Sequence, residues 1–174
     1  MFKKVVLSLL MVLPLLSCPF DEEDSAVTID AYKAISKEVK SGDFIKAKEE
    51  IIKQKELYEY FGKPLYLSLL KGADDKNSEE IKKMLDSSLV LEIKELLEKV
   101  EKDFDSYKKS RLLLIKAKKH LKVLTKDKKS YSLMKGLLKS LGNPGLMGMG
   151  EKASDKEGFL KTKEKLLEGL KHLK

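Results

Sequence analysis

The chain has 174 residues, a net formal charge of +8 and 42% apolar residues. That length suits one domain and excludes two large ones. The apolar share is that of a folded globule and excludes a disordered polyelectrolyte.

Lys3 and Lys4 precede an apolar run from Val5 to Leu16, interrupted by Ser8 and Pro14 and followed by Ser17 and Cys18. A basic start, a short apolar stretch and a small residue before the cut have the form of an export signal over residues 1–17. The run is shorter than the ~20 apolar residues a membrane-spanning helix needs. Asp21-Glu22-Glu23-Asp24 then ends the hydrophobic segment.

Leu15-Leu16-Ser17-Cys18 resembles the lipobox of bacterial lipoprotein precursors, in which Leu stands three residues before the cysteine and a small residue immediately before it. The resemblance covers residues 1–18 only. It implies cleavage before Cys18, a diacylglycerol on its sulfur and a fatty acyl group such as palmitate on its new amino group. Because Cys18 is the sole cysteine, no disulfide is then possible. Two or three acyl chains anchor stably where one is marginal, at ~0.8 kcal/mol per buried methylene. The expected location is the bacterial cell envelope, facing the periplasm or the exterior. Pro19 after the cysteine favours the outer membrane if the host is Gram-negative.

From Asp21 to Ser25 the chain is acidic and apolar-poor, which predicts a solvated tether over 18–27, with a single all-α domain over 28–174. From Thr28 the apolar spacing is helical through Ala31, Ile35 and Val39, until Ser41-Gly42. Asp43 is placed to cap a second helix carrying Phe44, Ala47, Ile51, Leu57, Tyr58 and Phe61, which Gly62-Lys63-Pro64 closes. A short apolar helix over 65–70 is expected to break at Gly72. Asn77-Ser78-Glu79-Glu80 has the spacing of a capping box.

From Ile81 to Tyr131 there is neither Gly nor Pro, and apolar residues recur every three or four positions. If neither Asp86-Ser87-Ser88 nor Asp105-Ser106 interrupts this stripe, residues 87–124 form one helix of 38 residues, ~57 Å long at ~1.5 Å per residue. Another helix is expected from about Ser130 to Leu141, then Gly142-Asn143-Pro144-Gly145 and a Gly and Met loop over 146–153. Ser154-Asp155-Lys156-Glu157 reads as a capping box for a last helix carrying Phe159, Leu160, Leu166, Leu167, Leu170 and Leu173. No segment alternates as a strand does. The predicted fold is an irregular all-α bundle of five to six helices. Ala34 to Tyr58 also looks like one hairpin of a tetratricopeptide array, although the cue occurs once and a solenoid needs about three repeats.

The residues that could carry chemistry are few. His120 and His172 are the only histidines, and Ala117 and Gly169 stand where a Glu-x-x-His diiron motif needs Glu. Glu168 and His172 lie one helical turn apart, whereas Lys116 holds the corresponding place before His120. Met147-Gly148-Met149, with Met134 upstream, offers thioethers to Cu(I), though clustered methionines more often fill apolar gaps. Gly148 to Ala153 matches a dinucleotide fingerprint in letters but follows no strand. There is no Gly-x-Ser-x-Gly elbow and no Cys-x-x-Cys-His. Acidic pairs such as Glu49-Glu50, Asp74-Asp75 and Glu79-Glu80 sit at caps or exposed positions. No catalytic residue, metal ligand or cofactor is assigned.

The charge is unevenly placed. Residues 25–105 hold 15 Lys against 18 acids, a net −3, while residues 106–174 hold 19 Lys and Arg against 6 acids, a net +13. The basic half suits anionic envelope polymers, lipid head groups or an acidic protein surface. An exported protein rarely meets nucleic acid, so none is expected as a partner. The cations are 35 Lys and the single Arg111, and only Asn77, Asn143 and Gln54 carry amide side chains. Lys and Glu in excess over thermolabile amides point to a thermophilic host.

These features predict a non-catalytic, lipid-anchored envelope binding or accessory protein that uses its basic C-terminal half. The alternatives are a small-ligand or copper or iron carrier, with Met147 and Met149 as candidate copper ligands, and a tetratricopeptide-like adaptor.

Overall fold

A computed structural model describes residues 24–145 and 152–173. Among them the apolar periodicity resolves into eight α-helices and a terminal 3-10 turn, confirming the all-α class with more helices than expected. The helix α1 spans Asp24–Ser41 and so begins inside the stretch expected to be tether. Gly42, at φ 78°, reverses the chain. Asp43 then caps α2 (Phe44–Lys53), its carboxylate accepting from the Lys46 N–H at 3.0 Å.

The single helix expected from Phe44 to Phe61 is two. At Gln54 the backbone N–H is shared between the Glu50 and Ile51 carbonyls at 3.2 Å each, and the chain re-enters a helix as α3 (Lys55–Phe61). Gly62, at φ 136°, turns it into α4 (Lys63–Asp74), with Pro64 in the first turn. Gly72 does not break α4. A methyl group there would stand 2.9 Å from Ile81 Cγ1, so the glycine lets α4 approach the next helix closely.

That helix, α5 (Ser78–Lys102), starts at the expected cap, Asn77 accepting from the Glu80 N–H at 3.1 Å. It continues through Asp86-Ser87-Ser88, because these polar groups find partners on the spot: Ser88 donates to the Leu85 carbonyl at 2.7 Å. The 38-residue helix does not form, since the chain turns at residues 103–106 before α6 (Tyr107–Leu124). The Ser106 N–H donates to the Asp103 carbonyl at 2.8 Å, and the Ser110 hydroxyl donates to the same carbonyl at 2.8 Å. Glu92 and His120, at similar distances from this turn, face each other, so α5 and α6 form an antiparallel hairpin.

Asp127 caps α7 (Lys128–Ser140), accepting from the Lys129 and Ser130 N–H groups. Asn143 and Lys152 exchange a pair of backbone hydrogen bonds at 2.8 and 2.9 Å. Gly142, at φ 70°, lies so close to the Lys152 carbonyl that no side chain fits. The last helix, α8 (Lys156–Leu170), is capped by Asp155 and not by Ser154, the carboxylate accepting from Gly158 N–H at 2.8 Å.

Two apolar clusters result, and α5 runs through both. Ile81 and Leu85 join Ile35, Ile51, Tyr58 and Leu69 in an N-terminal core. Val90, Ile93, Leu97 and Val100 join Leu114, Leu121, Met134, Phe159 and Leu166 in a C-terminal core. Between the clusters α5 carries the buried polar residues Asp86, Ser87 and Ser88, with Glu92 within the next turn. Among the described residues no helix is long and apolar enough to cross a membrane.

Candidate functional site

The helix α6 carries six lysines and Arg111 and no acidic residue. Its buried face presents Ser110, Leu114, Ala117, His120 and Leu121 to the C-terminal core. The flanking arc carries Tyr107, Arg111, Ile115, Lys118, Lys119 and Lys122, residues three or four apart and therefore side by side on a helix. With Leu138 of α7 they line an open groove of about 490 Å³.

The groove pairs an apolar floor with a cationic rim. Tyr107, Ile115 and Leu138 supply the floor; Arg111, Lys118, Lys119 and Lys122 supply the charge. None of the four cations has an ion-pair partner among the described residues. By contrast Lys109, on the same helix, meets Asp103 at 2.9 Å. The nearest acid in sequence to the end of α6, Asp127, is engaged by Lys129, Ser130 and the Ser130 hydroxyl, and the Ser130 hydroxyl bond leads the effects that hold its pKa below the ordinary value. Such a groove can hold an anion through charge and an apolar moiety through burial, with guanidinium geometry available for a bidentate contact.

A second polar feature lies inside the bundle. His120 is 0% exposed; its Nδ1–H donates to the Lys116 carbonyl at 3.0 Å, and its Nε2 lies 3.1 Å from Glu92 Oε2. Neither of the two facing atoms completes a well-directed hydrogen bond, and Thr28 Oγ1, on α1, is also buried without one. Since a carbonyl only accepts, Nδ1 bears a hydrogen, and the contact between Nε2 and Oε2 is attractive only if the pair holds one further proton. A third buried polar group sits higher on α5: Tyr32 OH donates to Asp86 Oδ1 at 2.9 Å, and Lys82 Nζ lies 2.6 Å from Asp86 Oδ2. Burial first, and the Asp86 charge second, push the Tyr32 hydroxyl up to about 12.

The residues singled out from sequence fall differently. Cys18, Met147 and Met149 lie outside the described residues. Met134 is fully buried in the C-terminal core, the gap-filling role. Glu168 pairs with Lys171, His172 sits in the terminal 3-10 turn (Lys171–Leu173), and no group of three potential metal ligands occurs among the described residues. Of the acidic pairs, Glu50 takes Lys53, Asp74 takes Lys48, and Glu80 lies in the first turn of α5. Sequence reasoning found the basic half but not its concave face, and it treated His120 alone. The available signal for the buried pair was one ionisable residue on the apolar stripe of each of two adjacent helices.

Comparison with known proteins finds no matching family model, curated protein or solved structure.

Proposed function

We propose that this chain is a non-catalytic, lipid-anchored binding or accessory protein of the bacterial cell envelope, which engages an anionic partner in the groove between α6 and α7. The observation that carries this reading is the set of Arg111, Lys118, Lys119 and Lys122 on one concave face with no carboxylate paired to them among the described residues. Lysines that merely solubilise a helix are commonly interspersed with acids, as on α5, where Lys94 meets Glu98 at 3.7 Å. Four unpartnered cations around an apolar floor create a potential that an anion relieves. The lipobox-like sequence at Cys18 supports a location outside the cytoplasm and at a membrane, which favours anionic lipids, polymers or acidic proteins over nucleic acid as partners.

The test is in-cell crosslinking of the tagged, lipidated protein, followed by a pull-down washed at about 1 M salt, where the Debye length is ~3 Å. A crosslinked envelope component attached through the α6 lysines supports the reading. Its absence, at high and at low salt, overturns it. The anchor is tested separately: Cys18→Ser should stall processing or release the chain from membranes, and membrane-bound, processed Cys18→Ser protein would sink the lipoprotein assignment.

A further inference from the structure

Resting on the reading of the α6–α7 groove as an anion site, we propose that its ligand is the head group of an anionic glycerophospholipid in the membrane to which the chain is tethered. Three observations narrow the chemistry. First, the groove of about 490 Å³ has the size of an ordinary small-molecule site and far exceeds what a bare phosphate needs. Secondly, its floor is Tyr107, Ile115 and Leu138. A fully hydrophilic polyanion gains nothing from covering those side chains, whereas the glycerol and first methylenes of a lipid lose water against them. Thirdly, only five residues lie between Cys18 and Asp24 in the sequence, a reach of at most about 20 Å even when fully extended. A fold held that close to a bilayer meets lipid phosphates at high effective concentration.

The geometry divides the labour. Arg111 and Lys118 lie seven residues apart, two turns on one side of α6, with Ile115 between them. Lys119 and Lys122 extend the cationic rim toward the C-terminal end of the helix. A phosphodiester seated over Ile115 therefore has a guanidinium on one side and ammonium groups on the other, and the acyl side of the lipid runs toward Leu138. This contact would add a headgroup-selective attachment to an acyl anchor that is already stable, and so orient the fold on the bilayer.

The full-length lipidated protein is reconstituted into vesicles of phosphatidylcholine alone or of phosphatidylcholine with phosphatidylglycerol, and lysine acetylation rates are read by mass spectrometry. Phosphatidylglycerol should protect Lys118, Lys119 and Lys122 about tenfold while leaving Lys83 on α5 and Lys165 on α8 within about twofold. Lys118→Glu with Lys122→Glu should abolish the protection of Lys119; the charge-matched pair Lys83→Glu with Lys165→Glu should leave it intact. Ile115→Ser keeps every cation and should still weaken it, which separates a built groove from a diffuse field. Three results overturn the proposal: equal protection of Lys83 and Lys165, equal protection by soluble glycerol phosphate over phosphatidylcholine, or no protection. If the lysines stay unprotected while the crosslinking experiment still recovers a partner on α6, the lipid identity falls and the anion-binding function stands. Failure of both removes both.

Discussion

His120 Nε2 and Glu92 Oε2 approach to 3.1 Å across the α5–α6 hairpin, in an interior otherwise built from Ile93, Leu97, Leu114 and Leu121. The two side chains are 0% and 10% exposed, so the facing atoms Nε2 and Oε2 depend on each other for polar contact. Removing one member of such a pair leaves the other buried and uncompensated, which costs about 3 kcal/mol, whereas replacing both with apolar residues is often neutral. His120→Leu is therefore expected to lower the urea unfolding free energy by about 3 kcal/mol, and the double variant Glu92→Leu with His120→Leu to recover most of it. Glu92→Gln, which supplies an N–H to the imidazole, should cost about 1 kcal/mol. A double variant as unstable as the sum of the singles would show that the pair is not coupled.

The Tyr32 hydroxyl, raised to about 12 by burial and by Asp86, gives a pH signature with a definite sign. The folded state holds the phenolic proton more tightly than the unfolded chain. The stability it contributes is thus complete below the unfolded value near ~10 and is lost as pH rises toward about 12. Half-burial and solvent screening limit the effect to about 1 kcal/mol. The difference in unfolding free energy between wild type and Tyr32→Phe, followed from neutral pH upward, should shrink over that window. A constant difference would mean that the Asp86 contact does not select the protonated phenol.

How much of this was legible in the sequence differs residue by residue. Asp43 and Asn77 cap where their spacing to the following backbone requires, because capping is a local interaction. Gly72 was misread because a glycine that ends a helix and one that admits a neighbour look alike until Ile81 is placed beside it. Gln54 carries no local breaking signal, and α2 gives way to α3 there while Ile51, Leu57 and Tyr58 all enter one core. The basic half was visible as a count, but the groove depends on Leu138 of α7 closing one side of it, a tertiary fact. Glu92 and His120 meet only because the chain reverses at 103–106.

Gly72→Ala tests the close approach directly. In an open helix interior the substitution would stabilise by about 1 kcal/mol through helix propensity. Here the new methyl would stand 2.9 Å from Ile81 Cγ1, so α4 and α5 must separate. Net destabilisation of about 1–2 kcal/mol is expected in thermal or urea unfolding. A stabilised variant would show that the α4–α5 interface has slack.

At Asp127 the carboxylate caps α7 through the Lys129 and Ser130 N–H groups and also accepts from the Ser130 hydroxyl at 2.7 Å. Its pKa is lowered, chiefly by that hydroxyl, so its contribution is present above the unfolded carboxylate value and is lost as pH falls through the depressed folded value. Asp127→Ala should be less stable than wild type at neutral pH, with the gap closing in acid. A gap independent of pH would assign the loss to helix propensity instead of to the charged cap.

The reversal at residues 103–106 raises the question of whether local polarity or tertiary burial ends α5. Asp105 and Ser106 are exposed, whereas Phe104 is 4% exposed with its ring 5.3 Å from that of Phe159 on α8. Lys156 Nζ stands 5.9 Å from the Phe104 centroid, so the aromatic pair also meets a cation from the start of α8. A fused helix ~57 Å long would carry α6 away from α5 and expose Leu97, Val100, Leu114 and Leu121, all 0% exposed in the hairpin. At ~25 cal/mol per Å² of apolar surface, that exposure outweighs the helix propensity two alanines can add. Asp105→Ala with Ser106→Ala should therefore leave the hydrodynamic radius unchanged and alter stability by less than about 1 kcal/mol, while Phe104→Ala should cost about 3 kcal/mol. Elongation of the double alanine variant in small-angle scattering would reverse the assignment and place the decision in the local sequence.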